Sequence, residues 1–75
     1  MDEKQLILKR LGERIKAARK GQNLTQLDLE IVTGISNQDI SKIEKGRKDL
    51  HFTTVVRIAN ALGITLNDLY PPESK

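Results

Sequence analysis

The chain has 75 residues, no cysteine and a single histidine, His51, and its formal net charge at pH 7 is +3. We therefore expect one small domain over residues 1–75, with a core over about 5–70 and a tail at 71–75, and neither a disulfide nor a metal site. No apolar run is long enough for a membrane span and the start lacks a signal-peptide pattern, which predicts a cytoplasmic protein without a membrane partner.

Three places in the chain carry the same helix-start signal, a Ser or Thr followed three residues later by Asp. In this arrangement the hydroxyl accepts a hydrogen bond from a backbone N–H, and the Asp side chain reaches back to the capping residue. An apolar residue stands before each cap and another follows five positions later, as in a hydrophobic staple. The pattern predicts helix starts at Thr25, Ser36 and Thr65.

Glycines and prolines mark the predicted helix ends. Gly21, Gly34, Gly46 and Gly63 each follow an apolar-periodic stretch, as a left-handed C-terminal cap does, and Pro71 stops the last helix. No strand-like alternation with turn signals competes with this pattern. The sequence therefore predicts an all-α fold with five helices, at about residues 3–20, 26–33, 37–45, 52–62 and 66–70.

Apolar residues that recur at three- and four-residue steps predict the core. The expected core residues are Leu8, Leu11, Ile15, Ala18, Leu29, Ile40, Ile43, Phe52, Val55, Ile58, Ala59, Leu62, Ile64, Leu66 and Leu69. A chain of this length needs all of this apolar surface for folding, so these residues are not expected to line a ligand pocket.

The helices that begin at Thr25 and Ser36 are separated by a three-residue turn containing Gly34, a spacing typical of a DNA-binding helix-turn-helix. On a helical wheel, Ile40 and Ile43 of the second of these helices point inward. The opposite face carries amide, hydroxyl and amine groups and no acid: Asn37, Gln38, Ser41, Lys42 and Lys45. Amides and amines suit base edges and phosphates, and free N–H groups at the helix start suit a phosphate. The sequence therefore predicts that the helix from Ser36 to Lys45 reads the major groove.

Charge is distributed unevenly along the chain. Residues 9–20 carry six basic side chains and one acidic one, and residues 36–48 carry four basic and two acidic ones. The last third, residues 49–75, is slightly acidic. A basic first half favours a polyanionic partner, and the acidic end, which lies away from the basic face, is the expected dimer surface. The residues predicted to form that dimer surface are Leu66, Leu69 and Tyr70.

From about Leu11 to Leu69, the chain resembles the Cro/repressor-type helix-turn-helix family, also called the XRE family. The resemblance is carried by four ordered motifs, LTQLDL at 24–29, GIS at 34–36, ISKIEKG at 40–46 and IANALGI at 58–64. This ordered set is more specific than a lone helix-turn-helix pattern. It implies a compact five-helix, lambda-repressor-like domain in which the second and third helices form the DNA-binding helix-turn-helix.

The resemblance also implies roles for individual residues. Gln26 matches a glutamine that contacts the DNA backbone and steadies a recognition side chain, although a solvated residue is an equally good interpretation of its position alone. Arg19 and Glu44 match a structural pair that ties the first helix to the end of the recognition helix. The implied DNA-binding residues are Gln26 at the DNA backbone, Asn37, Gln38 and Lys42 at the bases, Ser36 and Ser41 within reach of phosphates or bases, and Lys45, Arg47 and Lys48 in the loop that binds phosphate. For Ser36, a capping role comes first.

The second helix departs from the family pattern. Glu30 stands where the family usually has a small residue such as Ala, and Thr33 replaces another small apolar residue. Ile31 and Val32 occupy positions that are usually polar. Either this helix is rotated, or Ile31 and Val32 form an exposed apolar patch for self-association.

The expected function is sequence-specific binding of double-stranded DNA by a homodimer on a palindromic operator, which represses by occlusion or activates through RNA polymerase. One recognition helix covers only about four base pairs, so two half-sites roughly one turn (~34 Å) apart are expected. The alternative is a protein-interaction module, such as an antitoxin whose main partner is a toxin protein. An enzyme is the weakest hypothesis and no cofactor is expected, because the sequence lacks a nucleophile–base set, a phosphate-cradling loop and a carboxylate pair.

Overall fold

The structure, a computed structural model, describes residues 2–72. Over this range it contains five helices, which are α1 (Glu3–Gly21), α2 (Gln26–Thr33), α3 (Asn37–Glu44), α4 (Phe52–Leu62) and α5 (Leu66–Leu69). The predicted all-α fold is confirmed, and each helix end lies within one residue of its predicted position. The part of the predicted tail at 73–75 lies outside the described residues. None of the helices within 2–72 has the length and apolar character needed to cross a membrane.

Helices α2 and α5 begin with complete capping boxes. Thr25 Oγ1 accepts a hydrogen bond from the Asp28 N–H at 3.0 Å, and Asp28 Oδ2 accepts one from the Thr25 N–H at 2.8 Å. Thr65 and Asp68 repeat the arrangement at the start of α5. Hydrogen bonds from the backbone N–H and then the hydroxyl of the capping threonine lower the pKa of each Asp carboxyl. Local hydrogen bonds therefore cap both helix starts.

The capping box predicted at the start of α3 is only half formed. Ser36 Oγ accepts a hydrogen bond from the Asp39 N–H at 3.1 Å. Among the described residues, however, no return bond joins the Asp39 carboxylate to Ser36, and Asp39 Oδ1 lies 3.9 Å from Lys48 Nζ. At the start of α4, His51 occupies the N-cap position without a side-chain capping bond and is exposed.

One of the four predicted glycine caps is wrong. Gly21 is the last residue of α1, and the left-handed residue that follows the helix is Asn23, at φ 60°. Asparagine tolerates this conformation better than most residues, because its short side chain can bond locally. The other three glycines, Gly34, Gly46 and Gly63, do adopt positive φ values.

In the core, α1 packs against α3, α4 and α5, and α2 packs against α3 and α4. Over residues 2–72, the buried apolar residues were all predicted: Leu11, Ile15, Leu29, Ile40, Ile43, Ile58, Ala59, Leu62 and Leu69. The core prediction is wrong for Phe52, which is 70% exposed, and for Leu66, which is 39% exposed. Each is the first residue of its helix, and helical side chains point back toward the helix start, so both extend past the end of the packed face.

The turn between α2 and α3 is closed by a buried polar side chain. The Thr33 hydroxyl donates to the Leu29 carbonyl oxygen at 2.7 Å and accepts from the Ile35 N–H at 3.1 Å. A polar residue therefore replaces the expected small apolar one without leaving an unpaired buried group. Ile31 and Val32 are both largely exposed, which matches the second of the two alternatives for α2, an exposed apolar patch.

Helix α1 packs against the end of α3 with the two main chains in direct contact. A Cβ atom at Gly12 would lie 2.7 Å from the Glu44 carbonyl oxygen and closer still to the Ile43 carbonyl oxygen. A Cβ atom at Gly46 would lie 2.8 Å from Lys9 Cα. Only glycine fits at either position, so the backbone of α1 sets the position of α3.

Candidate nucleic-acid interface

A buried ion pair joins α1 to the end of α3. Arg19 Nε donates to Glu44 Oε2 at 2.7 Å, Arg19 Nη2 donates to Glu44 Oε1 at 3.0 Å, and Arg19 Nη1 donates to the Leu24 carbonyl oxygen at 2.7 Å. Arg19 is 7% exposed and Glu44 is 6% exposed. Bonding to the Glu44 carboxylate raises the pKa of Arg19, although burial acts in the opposite direction. The acid at the end of α3 is thus turned inward and neutralised.

Gln26 belongs to the same network. Its Nε2 atom donates to Glu44 Oε1 at 3.1 Å, and its side chain is half-buried at the start of α2. The structure therefore places the Gln26 Nε2 atom on the buried ion pair, and the steadying of a recognition side chain stays a prediction. A contact between Gln26 and the DNA backbone stays a prediction.

The outer face of α3 is polar and accessible. Gln38 and Lys42 are exposed and Ser41 is half-buried, whereas Ile40 and Ile43 are buried on the opposite side. Amide, hydroxyl and amine groups of this kind pair with the donors and acceptors of base edges in the major groove. The structure thus brings these three predicted residues together on one face of α3, while the opposite face of the helix packs into the core.

The first turn of α3 is occupied by a carboxylate from α2. Glu30 Oε1 accepts hydrogen bonds from the Asn37 backbone N–H at 2.9 Å and from Asn37 Nδ2 at 2.8 Å. Since Ser36 takes the Asp39 N–H, two of the N–H groups that the sequence offered to a phosphate are bound by side chains of this chain. In the sequence, Glu30 stands out only as a departure from the family pattern, and no motif indicates a role for it.

The loop after α3 lies beside the start of α1. Lys45 and Arg47 line a shallow cleft together with Lys4 and Lys9 of α1, and the acids Asp2 and Asp49 line it as well. A hydrogen bond from Lys4, which lies 3.2 Å from Asp49, lowers the pKa of the Asp49 carboxyl. No pattern in the sequence connects Lys9 with the loop, because only the fold brings these distant residues together. Lys9 extends the basic surface of the loop.

Comparison with known proteins identifies the family. The sequence matches the helix-turn-helix domain family over residues 12–71, which is most of the chain. The chain belongs to this family. The match confirms the predicted resemblance to Cro/repressor-type, or XRE-type, helix-turn-helix DNA-binding proteins.

Two relatives of this helix-turn-helix protein agree with that assignment. It is 32% identical over 72 residues to an uncharacterized HTH-type transcriptional regulator, y4dJ, of Sinorhizobium fredii, and the match covers 96% of this chain and 88% of the relative. It is 34% identical over 64 residues to the immunity repressor protein of Bacillus phage phi105, covering 85% of this chain and 44% of the repressor. The chain thus spans less than half of that second relative, and neither relative is named as an enzyme.

A solved structure supports the fold of the helix-turn-helix protein. The restriction-modification controller protein C.AhdI from Aeromonas hydrophila superimposes with a TM-score of 0.83 at 23% sequence identity, covering 87% of this chain and 98% of the controller. At this identity the likeness shows the fold alone, and the fold agrees with the predicted five-helix, lambda-repressor-like arrangement.

The dimer surface predicted for this helix-turn-helix protein needs one correction. Leu69 is only 1% exposed, because it packs into the core from α5. Leu66 is exposed and Tyr70 is half-buried. A partner that binds this end of the molecule therefore has access to Leu66 and Tyr70 but not to the Leu69 side chain.

Proposed function

We propose that this helix-turn-helix protein is a cytoplasmic, sequence-specific regulator of transcription that binds double-stranded DNA with α3 in the major groove. The observation that carries the proposal is the inward orientation of Glu44, which is bound by Arg19 on the buried side of α3. Because that acid is withdrawn, the outer face of α3 offers the neutral and basic groups of Gln38, Ser41 and Lys42 to a polyanion.

This surface makes two kinds of contact with DNA, to base edges and to phosphates. On α3, Gln38 pairs with the N6 and N7 edge of adenine, and Lys42 donates to the O6 and N7 acceptors of guanine. The loop cations bind phosphates and hold the helix in register without reading sequence. The proposed phosphate contacts are those of Gln26, Ser36, Lys45, Arg47 and Lys48. Ser41 and Asn37 complete the base-reading set.

We propose that the protein binds as a homodimer on a palindromic operator. One recognition helix spans about four base pairs, so two half-sites roughly 34 Å apart supply the selectivity that a single helix lacks. Leu66, on α5, and Tyr70, which follows α5, contribute to the proposed dimer surface. The bound dimer represses by covering a promoter or activates by contacting RNA polymerase.

The test is selection of bound DNA from a random pool, followed by binding measurements on the selected site. Gln38→Ala and Lys42→Ala should each weaken binding by about 1–3 kcal/mol and relax preference at one position. Arg57→Ala is the matched control for charge, because Arg57 is exposed on α4 beside Val32, away from α3. Wild-type affinity in both α3 variants would show that α3 does not read DNA.

Salt dependence distinguishes a DNA-binding protein from a module whose partner is another protein. The logarithm of the binding constant should fall linearly with the logarithm of salt concentration, with a slope of about −0.9 for each phosphate neutralised. A slope near zero on every DNA tested contradicts the proposal and directs attention to a protein partner such as a toxin.

A further inference from the structure

Glu30 and Asn37 are joined across the helix-turn-helix by two hydrogen bonds to a single oxygen. Glu30 Oε1 lies 2.9 Å from the backbone nitrogen of Asn37 and 2.8 Å from its Nδ2 atom. Both side chains are half-buried. A carboxylate is only an acceptor, so the Asn37 atom that faces it must be the amide nitrogen and not Oδ1. The contact therefore fixes which way the Asn37 amide points.

We infer that Glu30 is a positioning residue that sets the base preference of Asn37, an inference that rests on the proposed function. One Nδ2 proton is used by Glu30, and Oδ1 and the second Nδ2 proton remain for a base. That acceptor and donor match the N6 amino group and N7 of adenine. A freely rotating amide presents its two ends in either order, whereas the held amide of Asn37 presents them in one.

In this structure Glu30, and not Gln26, holds the Asn37 side chain. The Gln26 amide, to which the family resemblance assigns the steadying of a recognition side chain, donates to Glu44 Oε1. Asn37 is held instead from the middle of α2, by a residue at which this chain departs from the family pattern. Holding Asn37 before DNA arrives also lowers the side-chain entropy that binding must remove.

The carboxylate has a second effect that an experiment can separate from the first. A negative charge at the start of α3 lies near the position of the DNA phosphates and lowers affinity for every sequence alike. The hydrogen bonds to Asn37 affect preference at one base position only. Glu30→Gln keeps an acceptor oxygen and removes the charge, whereas Glu30→Asp keeps the charge and is too short to reach Asn37.

The experiment compares base preference in pools selected by the wild type, Glu30→Ala, Glu30→Gln, Glu30→Asp and Asn37→Ala, with thermal unfolding as the check on folding. Glu30→Ala should lower the preference for adenine at one position of each half-site by about two- to tenfold, as for the loss of one hydrogen bond. Glu30→Asp should lower the preference for adenine by a similar factor. This variant tests the inference if Glu30→Ala does not fold. Glu30→Gln should keep the preference and bind all DNA more tightly. In the Asn37→Ala background, Glu30→Ala should change no base preference.

The possible failures are distinguishable. If Asn37→Ala loses preference at one position while Glu30→Ala and Glu30→Asp keep it, the positioning role is overturned and Asn37 still reads DNA. If Asn37→Ala keeps every preference of the wild type, Asn37 is not a base-reading residue and the inference fails while the rest of the α3 face stands. A wild-type protein that selects no sequence overturns the proposed function and the inference together.

Discussion

Replacement of Glu44 by Ala should destabilise the protein severely. The substitution removes two of the three hydrogen bonds of the Arg19 guanidinium and leaves this cation, which is 7% exposed, with only the Leu24 carbonyl oxygen. Breaking a buried pair in this way costs about 3–5 kcal/mol. A domain of this size has a total stability on the order of 4–11 kcal/mol. We therefore expect Glu44→Ala to remove roughly half of it, and to lower Tm by more than about 12 °C.

A double-mutant cycle in urea unfolding, followed by circular dichroism, measures this effect. Arg19→Met and Glu44→Met should each cost several kcal/mol, and the double variant should cost less than their sum, because two apolar side chains of similar length replace the pair without a stranded charge. Lys4→Ala, which breaks the exposed pair with Asp49, is the control and should cost less than about 1 kcal/mol. Additive single effects, or a cost of Glu44→Ala below about 1 kcal/mol, would refute the reasoning. The base preference of any folded Glu44 variant should stay that of the wild type.

Three further predictions concern backbone packing, capping and phosphate binding. Gly12→Ala should lower the free energy of unfolding, measured in urea, by about 1–3 kcal/mol, because the added Cβ meets main-chain carbonyls of α3. The better helix propensity of alanine only partly offsets this effect. Unchanged stability would show that α1 can shift to make room. The lowered pKa of Asp28 means that its contribution to stability is complete above about pH 4 and is lost as pH falls through the folded pKa, so Asp28→Asn should flatten the acid limb of a stability–pH curve. Arg47→Ala and Lys48→Ala should each weaken binding to all DNA alike and reduce the salt slope by about one, and a change in base preference instead would make them readers of sequence.

Helix positions and core residues could be predicted because their signals are local. Thr25 and Thr65 carry complete capping boxes in the sequence, and the structure contains both. Apolar spacing identified each buried apolar residue in the described part of the chain. Spacing cannot show where a helix stops packing, however, and Phe52 was therefore assigned to the core although it lies at the exposed first position of α4.

Features that depend on how helices approach one another could not be predicted. The bond from Asn37 to Glu30 requires the relative placement of α2 and α3, which no local pattern specifies. Gly12 contacts a segment more than thirty residues away, and its only signal in the sequence is a glycine inside an otherwise helical stretch. The pairing of Arg19 with Glu44 followed from family resemblance, since charge patterning alone offers many equivalent partners.

Main chains are in direct contact at Gly12 and Gly46. The target sequence of this protein should therefore be changeable without changing how its helices pack. Because main-chain contacts and buried side chains, including the Arg19–Glu44 pair, set the spacing between α1 and α3, substitutions on the outer face should change the chemistry offered to DNA without moving the helix. A library randomised at Gln38 and Lys42 should therefore yield new target sequences on one unchanged scaffold. Position 37 differs, since its partner lies on another helix, and a new target there requires a matched change at position 30.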